Sequence, residues 1–119
     1  MKQKIVGTWM LKKFNIKNNS GIRKWRENSH GILLYTIDGY VSVNINSNFE
    51  SESEFIDSIL CYSGTYEIDK DKIRHSVMNA SSFSRIGKIM EREYTLDGNN
   101  LVLTGRGDFG AAILHWERV

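Results

Sequence analysis

Two residues carry a charge or a titratable ring where the pattern around them calls for apolar side chains. Ile73, His75, Val77 and Asn79 alternate with Arg74, Ser76 and Met78, and Met90, Arg92, Tyr94 and Leu96 alternate with Ile89, Glu91, Glu93 and Thr95. Such alternation belongs to half-buried β-strands, whose successive side chains point to opposite faces. It turns His75 and Arg92 inward on neighbouring strands of an expected hairpin. A guanidinium is always charged, and burying it is costly unless a counter-charge or hydrogen-bond acceptors meet it. The pair suits an internal cavity with a ligand. Arg92 would fix a carboxylate or enolate oxygen, with His75 and Tyr66 as further hydrogen-bond partners. Tyr35, Tyr62, Met90 and Tyr94 would supply the walls. The alternative is a filled core in which buried water, tyrosine hydroxyls and backbone carbonyls satisfy His75 and Arg92.

Other chemistries find little support. His30, His75, His115 and Cys61 fall on different expected strands without metal-ligand spacing, so no metal and no cofactor is expected, haem included. Gly105-Arg106-Gly107 is too short for a phosphate loop, and no helix follows it. Ser42 and Ser63 lack the orienting acid behind a histidine that would make either a nucleophile. Glu52, Glu54 and Asp57 read as solvated or capping residues of a short helix. Asn18-Asn19-Ser20 and Asn79-Ala80-Ser81 fit a glycosylation pattern that matters only in a secreted chain, and Arg106-Gly107-Asp108 reads as a turn.

The elements that must position these residues are strands. Proline is absent, so glycine and Asp/Asn/Ser clusters supply the punctuation. Asp38-Gly39, Asp69-Lys70-Asp71 and Asp97-Gly98-Asn99-Asn100 are the strongest turn signals, each between segments rich in β-branched and aromatic residues. Strands are expected at 6–16, 21–26, 30–36, 40–46, 61–68, 72–81, 87–96, 100–105 and 111–118. Val41, Val43 and Ile45 should face inward, as should Tyr62, Gly64, Tyr66 and Ile68, and Leu114, Trp116 and Arg118. One helix of about two turns is expected where Ser51-Glu52-Ser53-Glu54 precedes an apolar stripe of Phe55, Ile56, Ile59 and Leu60. Many short strands at regular spacing point to an antiparallel barrel or sandwich.

The 119 residues, 40% hydrophobic and 25% charged, fit one domain over 1–119 and exclude disorder, a collagen-like repeat and a coiled coil. No apolar run approaches the roughly 18 residues of a membrane-spanning helix. The net charge of +2 is too small to argue for nucleic acid, but its distribution is uneven. Residues 1–30 hold eight Lys/Arg against one acid, and residues 38–71 hold eight acids against one base. The plain reading is solvated faces; the sharper one is a docking patch or two complementary patches, which leaves a homodimer open. Cys61 is alone and fits a reducing compartment, and the N-terminus lacks the apolar core of a signal peptide, so a cytoplasmic location is expected, with no membrane partner.

The motifs taken in order resemble the bacterial lipocalin-like domain family, small calycin-type β-barrels. They are Gly7-Thr8-Trp9, the run from Gly31 to Val43 through Tyr35-Thr36-Ile37-Asp38-Gly39-Tyr40, and Tyr62-Ser63-Gly64-Thr65-Tyr66-Glu67-Ile68-Asp69. His75, Arg92 before Leu96-Asp97-Gly98, and a closing Trp116-Glu117-Arg118-Val119 complete the set. The family usually has proline where Ile37 stands and again near Ser82-Phe83-Ser84-Arg85; both departures concern loops. The resemblance implies an all-β fold: a single antiparallel lipocalin-like barrel of about 8–10 strands. It further implies that a first-strand tryptophan closes one end under a last-strand arginine, positions that Trp9 and Arg118 match.

Three functions follow as expectations. The leading one is binding of a small hydrophobic, and through Arg92 anionic, molecule inside the barrel. The alternative is a cyclase- or isomerase-like enzyme, with His75 as acid/base and Arg92 stabilising developing negative charge. The third is an interaction module that docks through the basic N-terminal stretch.

Overall fold

The computed structural model describes residues 2–26, 28–47 and 51–119. Nine strands run through these residues: β1 (Gly7–Asn18), β2 (Gly21–Lys24), β3 (Ser29–Tyr35), β4 (Tyr40–Ser47), β5 (Leu60–Asp69), β6 (Lys72–Ala80), β7 (Ile89–Asp97), β8 (Asn100–Gly107) and β9 (Gly110–Arg118). All pairings are antiparallel. β1 pairs with both β3 and β9, so eight strands close into a barrel, and β2 extends the sheet along the second half of β1. Closure leaves the eight barrel strands without an open edge.

The expected helix is α2 (Glu52–Ser58), and Glu52 on it is exposed. The side chains of Glu54 and Asp57 lie outside the described ones. Phe55 and Ile56 stay largely exposed, so the apolar stripe of this helix is only partly used, whereas Leu60 is half-buried at the start of β5. The Ser58 hydroxyl ties the helix to the barrel by accepting from the Ser47 amide at 3.0 Å. A single helical turn, α1 (Lys2–Ile5), and a 3-10 turn at Phe83–Arg85 complete the elements. Among the described residues no helix is long and apolar enough to cross a membrane.

Alternation sets the core, and two bulges reset it. Val41, Val43 and Ile45 are buried, as are Tyr62, Tyr66, Ile73, His75 and Val77. On β1, Leu11 pairs with Trp116 and Lys13 with His115, so Lys12 is an extra residue. The bulge switches the inward parity from Trp9 and Leu11 to Phe14 and Ile16. On β6, Ser63 pairs with Asn79 but Gly64 pairs with Val77, which leaves Met78 unpaired. Asn79, expected on the face of His75, is therefore turned outward, where its Oδ1 accepts from the Ser63 hydroxyl at 2.9 Å.

Strand direction sorts the connections to two ends. The turns β3–β4, β5–β6 and β7–β8 share one end with α1 and the last residue, and the links β1–β2, β4–β5, β6–β7 and β8–β9 lie at the other. Trp9 closes the first end. Its ring is fully buried, its Nε1 donates to the Ile5 carbonyl at 3.0 Å, and the Arg118 guanidinium carbon lies 4.3 Å from the ring centroid. Arg118 also donates to the carbonyls of Val6 and Lys4, at 2.7 and 2.6 Å.

Candidate functional site

A cavity of about 730 Å³ occupies the half of the barrel away from Trp9. Its walls come from the inward faces that the alternation produces. Phe14 and Ile16 stand on β1 after the bulge, Met90 on β7, Leu103 on β8, and Leu114 and Trp116 on β9. At the mouth, the Trp25 ring stacks on Phe14 with centroids 4.4 Å apart and planes 17° from parallel. Trp25 lies just past the end of β2, and its amide still bonds to the Phe14 carbonyl at 2.8 Å, which fixes the stacked pair.

The charges on this apolar lining have one sign. Arg23, Arg85, Arg92 and Arg106 line the cavity, and among the described residues no aspartate or glutamate does. Arg106 pairs with Glu93 at 2.5 Å. Arg92 donates to the Glu91 carbonyl at 3.0 Å and Arg23 to the Lys24 carbonyl at 3.2 Å. Among the described residues no carboxylate meets Arg23, Arg85 or Arg92. Several guanidiniums without acidic partners around an apolar cavity attract an anion, and the planar fork of arginine suits a carboxylate or phosphate.

Behind the cavity wall sits His75, 1% exposed. The Tyr35 hydroxyl lies 2.6 Å from Nε2 and the Tyr62 hydroxyl 2.6 Å from Nδ1. The register explains the cluster: Val41 of β4 pairs with Tyr35 of β3 and with Gly64 of β5, and Tyr66 of β5 pairs with His75 of β6. Burial, reinforced by the nearby Arg92 guanidinium, holds the imidazole pKa down at about 3, so the ring is neutral. Burial likewise raises the Tyr35 and Tyr62 hydroxyls above the usual tyrosine value, while Arg92 works in the opposite direction on both.

Of the residues singled out from sequence, Tyr62, Met90 and Arg92 line the cavity together. His75 and Tyr35 form the layer behind Tyr62. Tyr66 was expected beside His75 as a ligand partner; its hydroxyl instead donates to the Thr36 carbonyl at 2.8 Å, towards the end closed by Trp9. Tyr94 is half-buried on β7 and does not line the cavity. Sequence reasoning missed Trp25, Arg23, Arg85, Arg106 and Trp116 as lining residues. A usable signal existed: in an up-and-down barrel alternate turns share an end, so the cations near residues 18–21, 81–88 and 107–110 must meet opposite the Trp9 closure. Among the described residues no group of three His, Cys, Asp or Glu side chains gathers to hold a metal.

The lipocalin-like domain profile matches residues 6–119. The chain belongs to the lipocalin-like domain family. No curated protein matches the sequence. Solved structures share the family's barrel at low identity. An uncharacterized protein from Bacteroides eggerthii is 13% identical, with a TM-score of 0.56 over 94% of this chain and 98% of the other. A redesigned β-barrel is 14% identical, with a TM-score of 0.53 over 99% and 93%. A variant of the fluorescent protein UnaG is 12% identical, with a TM-score of 0.51 over 100% and 99%. At these identities the likeness concerns the lipocalin-like fold.

Proposed function

We propose that this lipocalin-like barrel binds a small, largely apolar molecule carrying an anionic group, with Arg92 as the principal anchor. The observation that carries the reading is the set of three arginines, Arg23, Arg85 and Arg92, that line a mainly apolar and aromatic cavity with no acidic partner among the described residues, beside a fourth, Arg106, that is paired with Glu93. The volume of about 730 Å³ falls within the range of ligand pockets. Tyr62 and Met90 join Arg92 at the ligand, Trp25 and Phe14 flank it at the mouth, and His75 with Tyr35 supports Tyr62 from behind. Tyr66, Trp9 and Arg118 serve the barrel rather than the ligand. The lone Cys61 suits a reducing compartment, and the cytoplasm is the location we assign.

The enzyme reading, with His75 as acid/base, has less behind it. His75 does not line the cavity, and both ring nitrogens are engaged by tyrosines. Native mass spectrometry of the purified protein and of Arg92→Ala tests the proposal, together with a titration by dodecanoate. The expected result is an adduct of about a few hundred daltons, or saturable dodecanoate binding, that the substitution weakens at least tenfold, as loss of a charge-assisted contact would. A clean apo mass combined with no dodecanoate binding would sink it.

A further inference from the structure

A neutral imidazole has one hydrogen-bond donor and one acceptor. With a tyrosine hydroxyl 2.6 Å from each nitrogen of His75, one tyrosine gives its proton to the ring. The other accepts the ring's proton and keeps its own, and that proton needs an acceptor. The two tyrosines differ in what lies beyond them. Tyr35 is 2% exposed, does not line the cavity, and its hydroxyl has no second partner among the described residues. Tyr62 lines the cavity, and its hydroxyl lies within electrostatic reach of Arg85 and Arg92. A spare proton on Tyr35 would be a buried donor with nowhere to go, a defect that native cores avoid. On Tyr62, which lines the cavity, the same proton can meet a ligand oxygen.

We infer that Tyr35 donates to Nε2, that His75 is thereby fixed as the Nδ1–H tautomer, and that Tyr62, accepting from Nδ1–H, presents its own O–H to the cavity as a donor. This deepens the proposed function and rests on the reading of the cavity as a ligand site. Tyr62 and Arg92 then both present donors to the ligand, which favours a carboxylate, with its several acceptor sites, over the matching alcohol. His75 is a positioning residue: it sets the polarity of Tyr62 without touching the ligand.

Two measurements test the relay. Long-range 15N–1H correlation of the ligand-free protein reports which nitrogen of His75 carries the proton, and Nδ1–H is expected. Paired titrations with dodecanoate and 1-dodecanol read the preference for acid over alcohol. Tyr62→Phe should cut dodecanoate affinity roughly tenfold or more, the usual effect of losing a hydrogen bond to a charged group. Tyr35→Phe lies outside the cavity, yet it removes the donor that fixes the ring, so the two tautomers should mix and the same preference should fall. Val77→Ala, buried on the same strand as His75 but outside the relay, should weaken the fold and leave the preference intact. An Nε2–H ring in the wild type would overturn the inference whether or not a ligand binds. So would an unchanged preference in Tyr35→Phe. A wild type that shows the Nδ1–H ring but binds neither probe would uphold the tautomer and count against the cavity's proposed function.

Discussion

The guanidinium of Arg92 lies against the bare Cα of Gly105. A methyl group built on Gly105 would stand 2.9 Å from the Arg92 Cζ and 3.0 Å from Nε and Nη1. Arg92 is on β7 and Gly105 on the neighbouring β8, so the missing side chain of one strand makes the berth for the long side chain of the other. The cation is thereby held flat against the sheet, at the wall of the cavity that both residues line.

That berth makes Gly105→Ala informative. The obstructed atoms are the far end of a flexible side chain, so the barrel can absorb the methyl group by moving the guanidinium. Stability should hold or rise by up to about 1 kcal/mol, because alanine restricts the unfolded chain. Dodecanoate affinity should fall roughly fivefold or more, since charge-assisted contacts depend on geometry. Isothermal titration alongside urea unfolding measures both; unaltered affinity in a folded variant would show that the berth does not position Arg92 for the ligand.

His75 predicts a pH dependence with a definite sign. Its pKa is about 3 in the folded protein and near 6.5 in an unfolded chain. Between those values the unfolded state binds the extra proton, so stability is complete above pH 6.5 and is lost as pH falls towards 3. The slope contributed by this one ring is about 1.4 kcal/mol per pH unit. Urea unfolding at pH 7, 6 and 5 should therefore show wild type losing stability faster than His75→Gln, although the variant starts lower because it disturbs two buried tyrosine hydroxyls. Parallel lines for the two proteins would contradict a buried neutral imidazole.

Gly64 predicts a local failure of the fold. A Cβ there would fall within bonding distance of the Ser76 carbonyl oxygen, 1.8 Å away, where the bulge at Met78 draws β6 against β5. Backbone cannot step aside as a side-chain tip can. Gly64→Ala should cost about 3 kcal/mol or more, in the range of overpacking and strained-backbone substitutions. Hydrogen exchange should show the loss first in the β5–β6 pairing, and an unfolding free energy within 1 kcal/mol of wild type would refute the close approach.

How much of this was legible in the sequence depended on what decides each feature. Period-2 alternation and Asp-Gly turns are local, and they placed the strands within a few residues and turned His75 and Arg92 inward. Bulges are not local. Lys12 and Met78 became extra residues because of how β9 and β5 pair with them, and Asn79 accordingly faces outward. The tyrosines were legible as inward-facing residues but not by role, since whether a hydroxyl reaches His75 or Thr36 depends on depth along the barrel axis. The arginines of the mouth come from β2 (Arg23), the β6–β7 link (Arg85) and the end of β8 (Arg106), far apart in sequence, and closure of β1 on β9 brings those segments to one end of the barrel.

The closed end offers the last test, because its parts depend on one another. Gly7 has φ of +146°, a conformation that favours glycine, and a Cβ there would lie 2.6 Å from Arg118 Nη1. Thus the Gly-x-Trp spacing has a physical meaning: glycine admits the guanidinium, and tryptophan two residues on receives it on the ring face. Arg118 then bridges the carbonyls of Val6 and Lys4. A lysine at 118 could keep a cation near the ring, but its single ammonium lacks the planar fork that reaches both carbonyls from one position. Arg118→Lys should cost about 1–2 kcal/mol, the sum of a weakened cation–π contact and a lost hydrogen bond, and lower Tm by roughly 3–8 °C. Dodecanoate affinity should be unchanged, because this closure lies at the end away from the cavity. A variant that melted with wild type would show that Arg118 decorates the closure without holding it, and one that lost ligand affinity at full stability would place the anion at the wrong end of the barrel.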